Sequence, residues 1–432
     1  MKKVLIISYY WPPSGGAGVQ RWVKLSKYLQ RKGLDPVVLT VDEKYASYPN
    51  IDETLLKEVP PSLRVIKTKS FEPLNLYARI VGKQNLSTAG FANIKRENLV
   101  FRIAAFLRSH LFYPDPRRGW NRYAFRQASN IIVSEKIDTV LTSSPPHSTQ
   151  LLGYRLKRKY GIKWLSDMRD PWTDIYYYRK LGHSAFSAAV DRHLEKKVLV
   201  HTDKIITVSK GLKKLFLSKS ATLLPSNILV LPNGFDPEDL PPSPSPPPAT
   251  PFRISYTGSM SDQYEPYPFL DAMRRFVDEH PQEKIELKIV GLPSENITRY
   301  IHDSGMDKYT LICPYKPHHE AVKVMLDSHV LLLVIPVGTA SGMILTGKLF
   351  EYLGCRRKII NLGPTDGDAA EIINECQAGK TFDRTSGQEL YEYLQELFRN
   401  FKLGKREVFN EAAILKYSRE YQAGKIMEWI QT

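Results

Sequence analysis

Lys348 and Glu351 stand three residues apart in GTASGMILTGKLFEYLGCRRKIINLGPTDGDAAEII, residues 338–373. Thr346 or Gly347 can open a helix there, and residues i and i+3 share a helical face. An ammonium in the first turn adds its charge to a helix end that already attracts anions. A carboxylate one turn on can accept from two hydroxyls, as a ribose diol requires. The pair is spaced to hold a nucleoside diphosphate along the helix, although an exposed ion pair has the same spacing. A second candidate is SYYWPPSGGAGVQRWVKL, residues 8–25, where Gly15 and Gly16 separate an apolar run from a helical pattern. Such a turn points unpaired N–H groups at any nearby anion. Its spelling lacks the third glycine of a dinucleotide fingerprint and the Lys-Ser/Thr ending of a P-loop, so a plain strand-to-helix turn remains the other reading.

A third group is Asp167, Arg169 and Asp170 in SDMRDPW, at the end of an apolar run. A carboxylate there could orient an incoming hydroxyl, or pair structurally with the arginine beside the proline turn. His147 follows Pro145-Pro146 in a loop, where a histidine is either an acid–base group or incidental. His318 and His319 precede Glu320 and read as helix-capping residues. None of these groups has metal-ligand spacing, so no metal site is expected.

The elements that must position these residues are legible as alternating strands and helices. Apolar, β-branched runs fall at 4–8, 36–41, 139–144, 162–167 and 204–209, with helical patterns between them. The spacing of Val19, Trp22, Val23, Leu25, Tyr28 and Leu29 marks one apolar helical face. Strands alternating with helices imply a parallel sheet. DPEDLPPSPSPPPATP, residues 236–251, then excludes helix and central strand and reads as a stiff linker. Beyond it the alternation restarts at 253–258, 286–291, 329–335 and 358–363. The last stretch is helical, with Ser418 as its cap. In such sheets ligands sit outside the carboxyl ends of the strands, so two α/β halves predict a cleft between two such edges.

A chain of 432 residues exceeds a single core of usual size, and 42% hydrophobic with 25% charged residues is ordinary for a globular protein. No apolar run approaches ~18 residues, and the opening Met-Lys-Lys leads into too short an apolar run for a secretory signal. Cys313, Cys355 and Cys376 are odd in number and read as reduced thiols of a cytoplasmic protein. The net charge of +16 predicts polyanionic or phosphorylated partners. It concentrates between 79 and 126, where Leu99, Ile103, Phe106, Leu107 and Leu111 at helical spacing are flanked by Arg96, Arg102 and Arg108. That pattern suits a helix on an anionic membrane surface, or one packed on its own domain with a solvated basic flank. No nucleic-acid module accompanies the charge, and no nucleic acid is expected.

In KLFEYLGCRRKII and DGDAAEII the chain resembles the retaining, family 4-like glycosyltransferases of the GT-B fold, of the bacterial surface-polysaccharide type. SSPPHSTQLLGYRLKRKYGIKWLSDMRDPW (143–172), ITVSKGLKKLF (206–216), VLPNGFD (230–236), SYTGS (255–259) and PYKPHHEAVKVM (314–325) resemble that family's other segments, in family order. The resemblance implies an α/β fold of two Rossmann-like domains facing a cleft. An acceptor-binding domain would span 1–236, a linker 237–251 and a donor-binding domain 252–410, with a helical segment 411–432 returning to the first domain. It implies that Glu351 holds the donor ribose, while Lys348 and the backbone at Gly347 hold the diphosphate. Gly258 and Ser259 would lie in the donor site, Tyr315 and Lys316 would border the base, and the backbone of Ser341 and Gly342 would meet the sugar. Gly15 and Gly16 would approach the phosphate or acceptor, with Asp170, Arg169 and His147 as candidate catalytic residues on the acceptor side.

The chain departs from the family pattern twice. Met343 replaces a second acid eight residues before Glu351, and SMSDQYEP follows SYTG where many members carry an Arg and a Lys. The implied partners are a nucleotide-sugar donor and a glycan or lipid-linked acceptor, with no cofactor and no metal, at the inner face of the membrane. The implied transfer proceeds on one face of the sugar, the leaving diphosphate taking the acceptor's proton. Three other readings stay open on the residues: a nucleotide-sugar epimerase of the same fold, an NAD-dependent oxidoreductase using the glycine loop and Asp42, and a non-catalytic polyanion- or membrane-binding scaffold.

Overall fold

The computed structural model describes residues 1–72, 113–175, 178, 183–241 and 245–431. The basic helical pattern at 99–111 lies outside them. The chain forms two compact units, Met1–Asn233 with Gln422–Thr432, and Gly234–Tyr421.

The first unit is built on a seven-stranded parallel sheet in the order β3-β2-β1-β4-β5-β6-β7. Its strands are β1 (Lys2–Ser8), β2 (Leu34–Val41), β3 (Arg64–Thr68), β4 (Thr139–Ser144), β5 (Lys163–Met168), β6 (Lys204–Thr207) and β7 (Ile228–Val230). Side chains alternate across a strand, and both faces here are covered. Leu5 and Ile7 of β1 join one core cluster with Trp120, Leu152 and Trp164. Val4 and Ile6 join another with Trp22, Val23, Leu25 and Leu29 of the helix Ala17–Arg31. Buried on two faces, β1 carries the continuous β-branched run expected of a central parallel strand.

The second unit repeats the plan with six parallel strands in the order β10-β9-β8-β11-β12-β13. These are β8 (Phe252–Thr257), β9 (Ile285–Val290), β10 (Thr310–Cys313), β11 (Val330–Val334), β12 (Lys358–Leu362) and β13 (Gly379–Phe382). Val330, Leu332 and Val334 of β11 face one core, Leu331 and Leu333 the other. The expected α/β class with two Rossmann-like halves is what the chain adopts.

The boundaries differ from those expected, for packing reasons. Phe235 is buried in the second unit's core, so the first crossing lies at Asn233–Gly234 rather than at 236. The described parts of 237–251 pack on that unit instead of spanning open solvent: Leu240 lies against Gly354, and Arg357 Nη2 donates to Ser245 O at 2.6 Å. The C-terminal segment is shared. Ala413 and Ile414 bury in the second unit, while Ala423, Ile426 and Ile430 bury in the first beside Trp22 and Val23. Ser418 Oγ accepts from Tyr421 N, as the capping pattern predicted.

Candidate functional site

In the second sheet the chain leaves β8 toward β9 on one side and β11 toward β12 on the other. Neighbouring strands that diverge in this way open a crevice at their carboxyl ends. Gly258 and Ser259 follow β8, the loop 335–346 follows β11, and the helix Gly347–Cys355 comes next. Thr346 is the N-cap residue, but its hydroxyl makes no capping bond and is a buried oxygen with no hydrogen-bond partner. The first-turn N–H groups are therefore not satisfied by the side chain that usually serves them.

Lys348 sits in that first turn and reaches back to the end of β8. Its Nζ lies 4.0 Å from the Tyr256 ring centroid and donates to Tyr256 Oη, which donates in turn to Ser259 O at 2.8 Å. Gly258 has φ 109°, and a Cβ there would stand 2.5 Å from Lys348 Cε. Glycine both permits the turn and leaves the lysine its channel. Burial pulls the Lys348 ammonium down to about 8, with Glu351 opposing the shift. Among the described residues no carboxylate lies within 4 Å of Nζ, so this half-buried cation meets a ring and a hydroxyl rather than a counter-charge.

Glu351 is one turn on, its side chain 25% exposed, with Oε1 3.1 Å from His318 Nε2. The capping role expected of His318 and His319 does not hold. Pro317 occupies the N-cap of the helix His318–Leu326, and the His318 ring turns to the neighbouring helix instead. Lys316 bridges Glu320 at 2.7 Å, and Tyr315 is 74% exposed with no ring or hydrogen-bond partner among the described contacts. Ser341 Oγ donates to Pro336 O and Gly338 O, which closes the β11 loop and commits that hydroxyl to the backbone. Gly342 abuts Gly367, the residue before the helix Asp368–Glu375. The structure thus gathers Lys348, Gly347, Glu351, Gly258 and Ser259, and adds Tyr256 and His318. Neither addition was singled out as a site residue in the sequence: Tyr256 lies inside SYTGS without a role of its own, and His318 reads as a cap.

In the first unit the corresponding divergence lies between β1 and β4. Gly15 and Gly16 follow β1, His147 follows β4, and Arg169 and Asp170 follow β5, so all stand at the carboxyl ends of three adjacent strands. Gly16 is the N-cap at φ 114°, with Val19 N donating back to its carbonyl. A Cβ on Gly18 would lie 1.8 Å from Arg169 Nη1, so the guanidinium rests on this bare backbone. Arg169 Nε donates to Ser144 O at 3.0 Å.

Asp167 takes the structural role. Fully buried, it accepts from Trp22 Nε1 at 2.7 Å and Ser143 Oγ at 2.8 Å, and pairs with the fully buried Arg21 at 3.4 Å. Asp170 is half-buried, and desolvation raises its pKa against the pull of Arg169. His147 stacks on Trp172 with centroids 4.9 Å apart, and its buried Nδ1 has no hydrogen-bond partner. Burial, aided by Lys219 and Arg169, lowers its pKa to about 3. Such an imidazole is neutral at physiological pH and suits hydrogen bonding better than general-base work. Among the described residues no cluster of three His, Cys, Asp or Glu could hold a metal.

Residues 90–239 match the family described as Glycosyltransferase Family 4, a span whose first part, 90–112, lies outside the described residues. Solved structures match over nearly the whole chain. A glycosyltransferase from Rickettsia africae ESF-5 is 14% identical, covering 99% of this chain and 98% of its own, with a TM-score of 0.63. The lipopolysaccharide outer core galactosyltransferase WaaB is 13% identical with both chains fully covered and a TM-score of 0.59. HepE of Anabaena, solved with UDP-glucose, is 12% identical, covering 98% and 95%, with a TM-score of 0.56. No curated protein matches the chain. The chain thus shares the two-domain α/β fold of these glycosyltransferases, and residues 90–239 carry the match to Glycosyltransferase Family 4.

Proposed function

We propose that this chain transfers a glycosyl group, with retention, from a nucleoside-diphosphate sugar to a hydroxyl of a glycan or lipid-linked acceptor in cell-surface polysaccharide synthesis. The observation that carries the donor reading is Lys348, an ammonium with no close carboxylate among the described residues, at a helix end without a side-chain cap, against Gly258. A diphosphate would accept from Lys348 and the first-turn N–H groups, where its charge meets the positive helix end. Glu351 would accept from the ribose hydroxyls. The C1–O bond to the diphosphate breaks, the acceptor oxygen bonds to C1, and the acceptor proton passes to the departing diphosphate. The protein's contribution is charge stabilisation of that leaving group and positioning of the acceptor.

UDP-glucose in the Anabaena relative and the outer-core role named for WaaB support this donor and acceptor class. Three free cysteines favour a reducing compartment, and we place the reaction at the cytoplasmic face of the membrane. No helix among the described residues is long and apolar enough to cross a membrane. The reading is tested by incubating the protein with UDP-, GDP- and ADP-sugars and membrane glycolipid extract. Release of one nucleoside diphosphate that depends on the extract, and that Lys348→Ala abolishes, supports transfer. Donor conversion without acceptor points to an epimerase, and reduction of NAD added to a parallel reaction to an oxidoreductase.

A further inference from the structure

We propose that His318 is a positioning residue that presets the Glu351 carboxylate for a ribose diol, so that selectivity for ribo- over deoxyribonucleotides depends on the histidine as well as on the acid. The inference rests on the donor reading above. Glu351 and His318 sit on two different helices, Gly347–Cys355 and His318–Leu326, 33 positions apart in the chain, and meet through their side-chain tips, Nε2 to Oε1 at 3.1 Å. Their side chains are 25% and 24% exposed. Both side chains are therefore partly open to solvent.

A glutamate has three rotatable side-chain bonds, and freezing them when a ligand arrives weakens binding. A donor fixed on a second element removes that loss beforehand. His318 is well placed to be fixed, because Pro317 sets the backbone at the N-cap with φ −53° and the ring follows at the first helical residue. Each carboxylate oxygen accepts more than one hydrogen bond. With Oε1 engaged by the ring, the second oxygen and the remaining lone pairs of the first are held in one orientation, matching two adjacent hydroxyls. Both the neutral Nε2–H tautomer and the imidazolium present a donor to Oε1 at this position.

The test uses the full-length chain and calorimetric Kd values for UDP, GDP and ADP, their 2′-deoxy counterparts, and inorganic pyrophosphate. Wild type, Glu351→Ala, His318→Ala and His318→Gln are compared. Wild type is expected to favour one ribonucleotide over its deoxy form by about tenfold, the value of one hydrogen bond to a charged group. His318→Ala should cut that preference at least about threefold with pyrophosphate affinity unchanged, and His318→Gln, which can still donate, should restore most of it. A wild-type preference persisting in His318→Ala while Glu351→Ala loses it overturns the inference and leaves the donor reading standing. So does a Gln variant that behaves like Ala, or a parallel loss of pyrophosphate affinity. A wild type without ribose preference, or a Glu351→Ala variant that keeps it, overturns the donor reading and this inference with it.

Discussion

Lys348 is held in a state that favours an incoming anion over the empty site. Its ammonium lies against Tyr256 and is lowered to about 8 by burial, from 10.5 in an unfolded chain. Between those two values the unfolded chain holds more protons than the folded one, so ligand-free stability should rise with pH across that window. Binding of a diphosphate favours the charged form, so nucleotide affinity should fall as pH rises through about 8, with proton uptake on binding. Calorimetry of UDP binding in buffers of different ionisation enthalpy, from pH 6.5 to 9.5 in steps, reads both effects. Lys348→Met should abolish that pH dependence, weaken binding by about 10- to 100-fold and raise the melting temperature of the ligand-free protein. A variant that loses stability while keeping nucleotide affinity would place the lysine in the scaffold rather than the site.

The turns after β8 and β5 show what the elements contribute, and how far each was readable. Gly258→Ala introduces a side chain at φ 109° and directly against Lys348. A cost of about 1–3 kcal/mol is expected with loss of nucleotide binding, seen as a lower melting temperature and a flat titration. SDMRDPW holds two acids of opposite kind. Asp167→Ala removes the buried carboxylate facing Arg21 and should cost about 3–5 kcal/mol. Asp170→Asn removes a charge that folding disfavours, so melting at pH 7 should hold or rise while transfer falls. Spacing alone left these two roles unresolved, because the partners of Asp167 come from residues 21, 22 and 143. The central strands were legible as apolar runs since both their faces are buried. Edge strands β3 and β10 were not, because half-exposed segments such as RVIKT and TLIC lose that run. Lys348 and Glu351 were visible because one helix supplies both. His318 was not, because its partner lies 33 residues away.

At the scale of the molecule the cores do not follow chain order. The second unit is one continuous segment, Gly234–Tyr421, and its two apolar clusters draw on that segment alone. The first unit depends on the far end of the chain. Ile426 and Ile430 bury among Val4, Ile6 and Trp22, and Lys163 Nζ donates to Trp429 O at 2.7 Å. This asymmetry gives the two fragments different fates. Residues 234–421 carry a complete core and all of Lys348, Gly258, Glu351 and His318, so they should fold alone and bind a nucleoside diphosphate within a few-fold of the intact protein. Residues 1–233 lack the helix that closes one core cluster, and losing Ile426 and Ile430 alone removes side chains worth about 2–5 kcal/mol each. Circular dichroism melts of both fragments, with UDP, GDP and ADP titrated into the second, distinguish the cases. A cooperative 234–421 fragment that binds as the whole chain does makes the donor site a property of that unit alone. A folded fragment that binds nothing would mean that residues outside 234–421 complete the site.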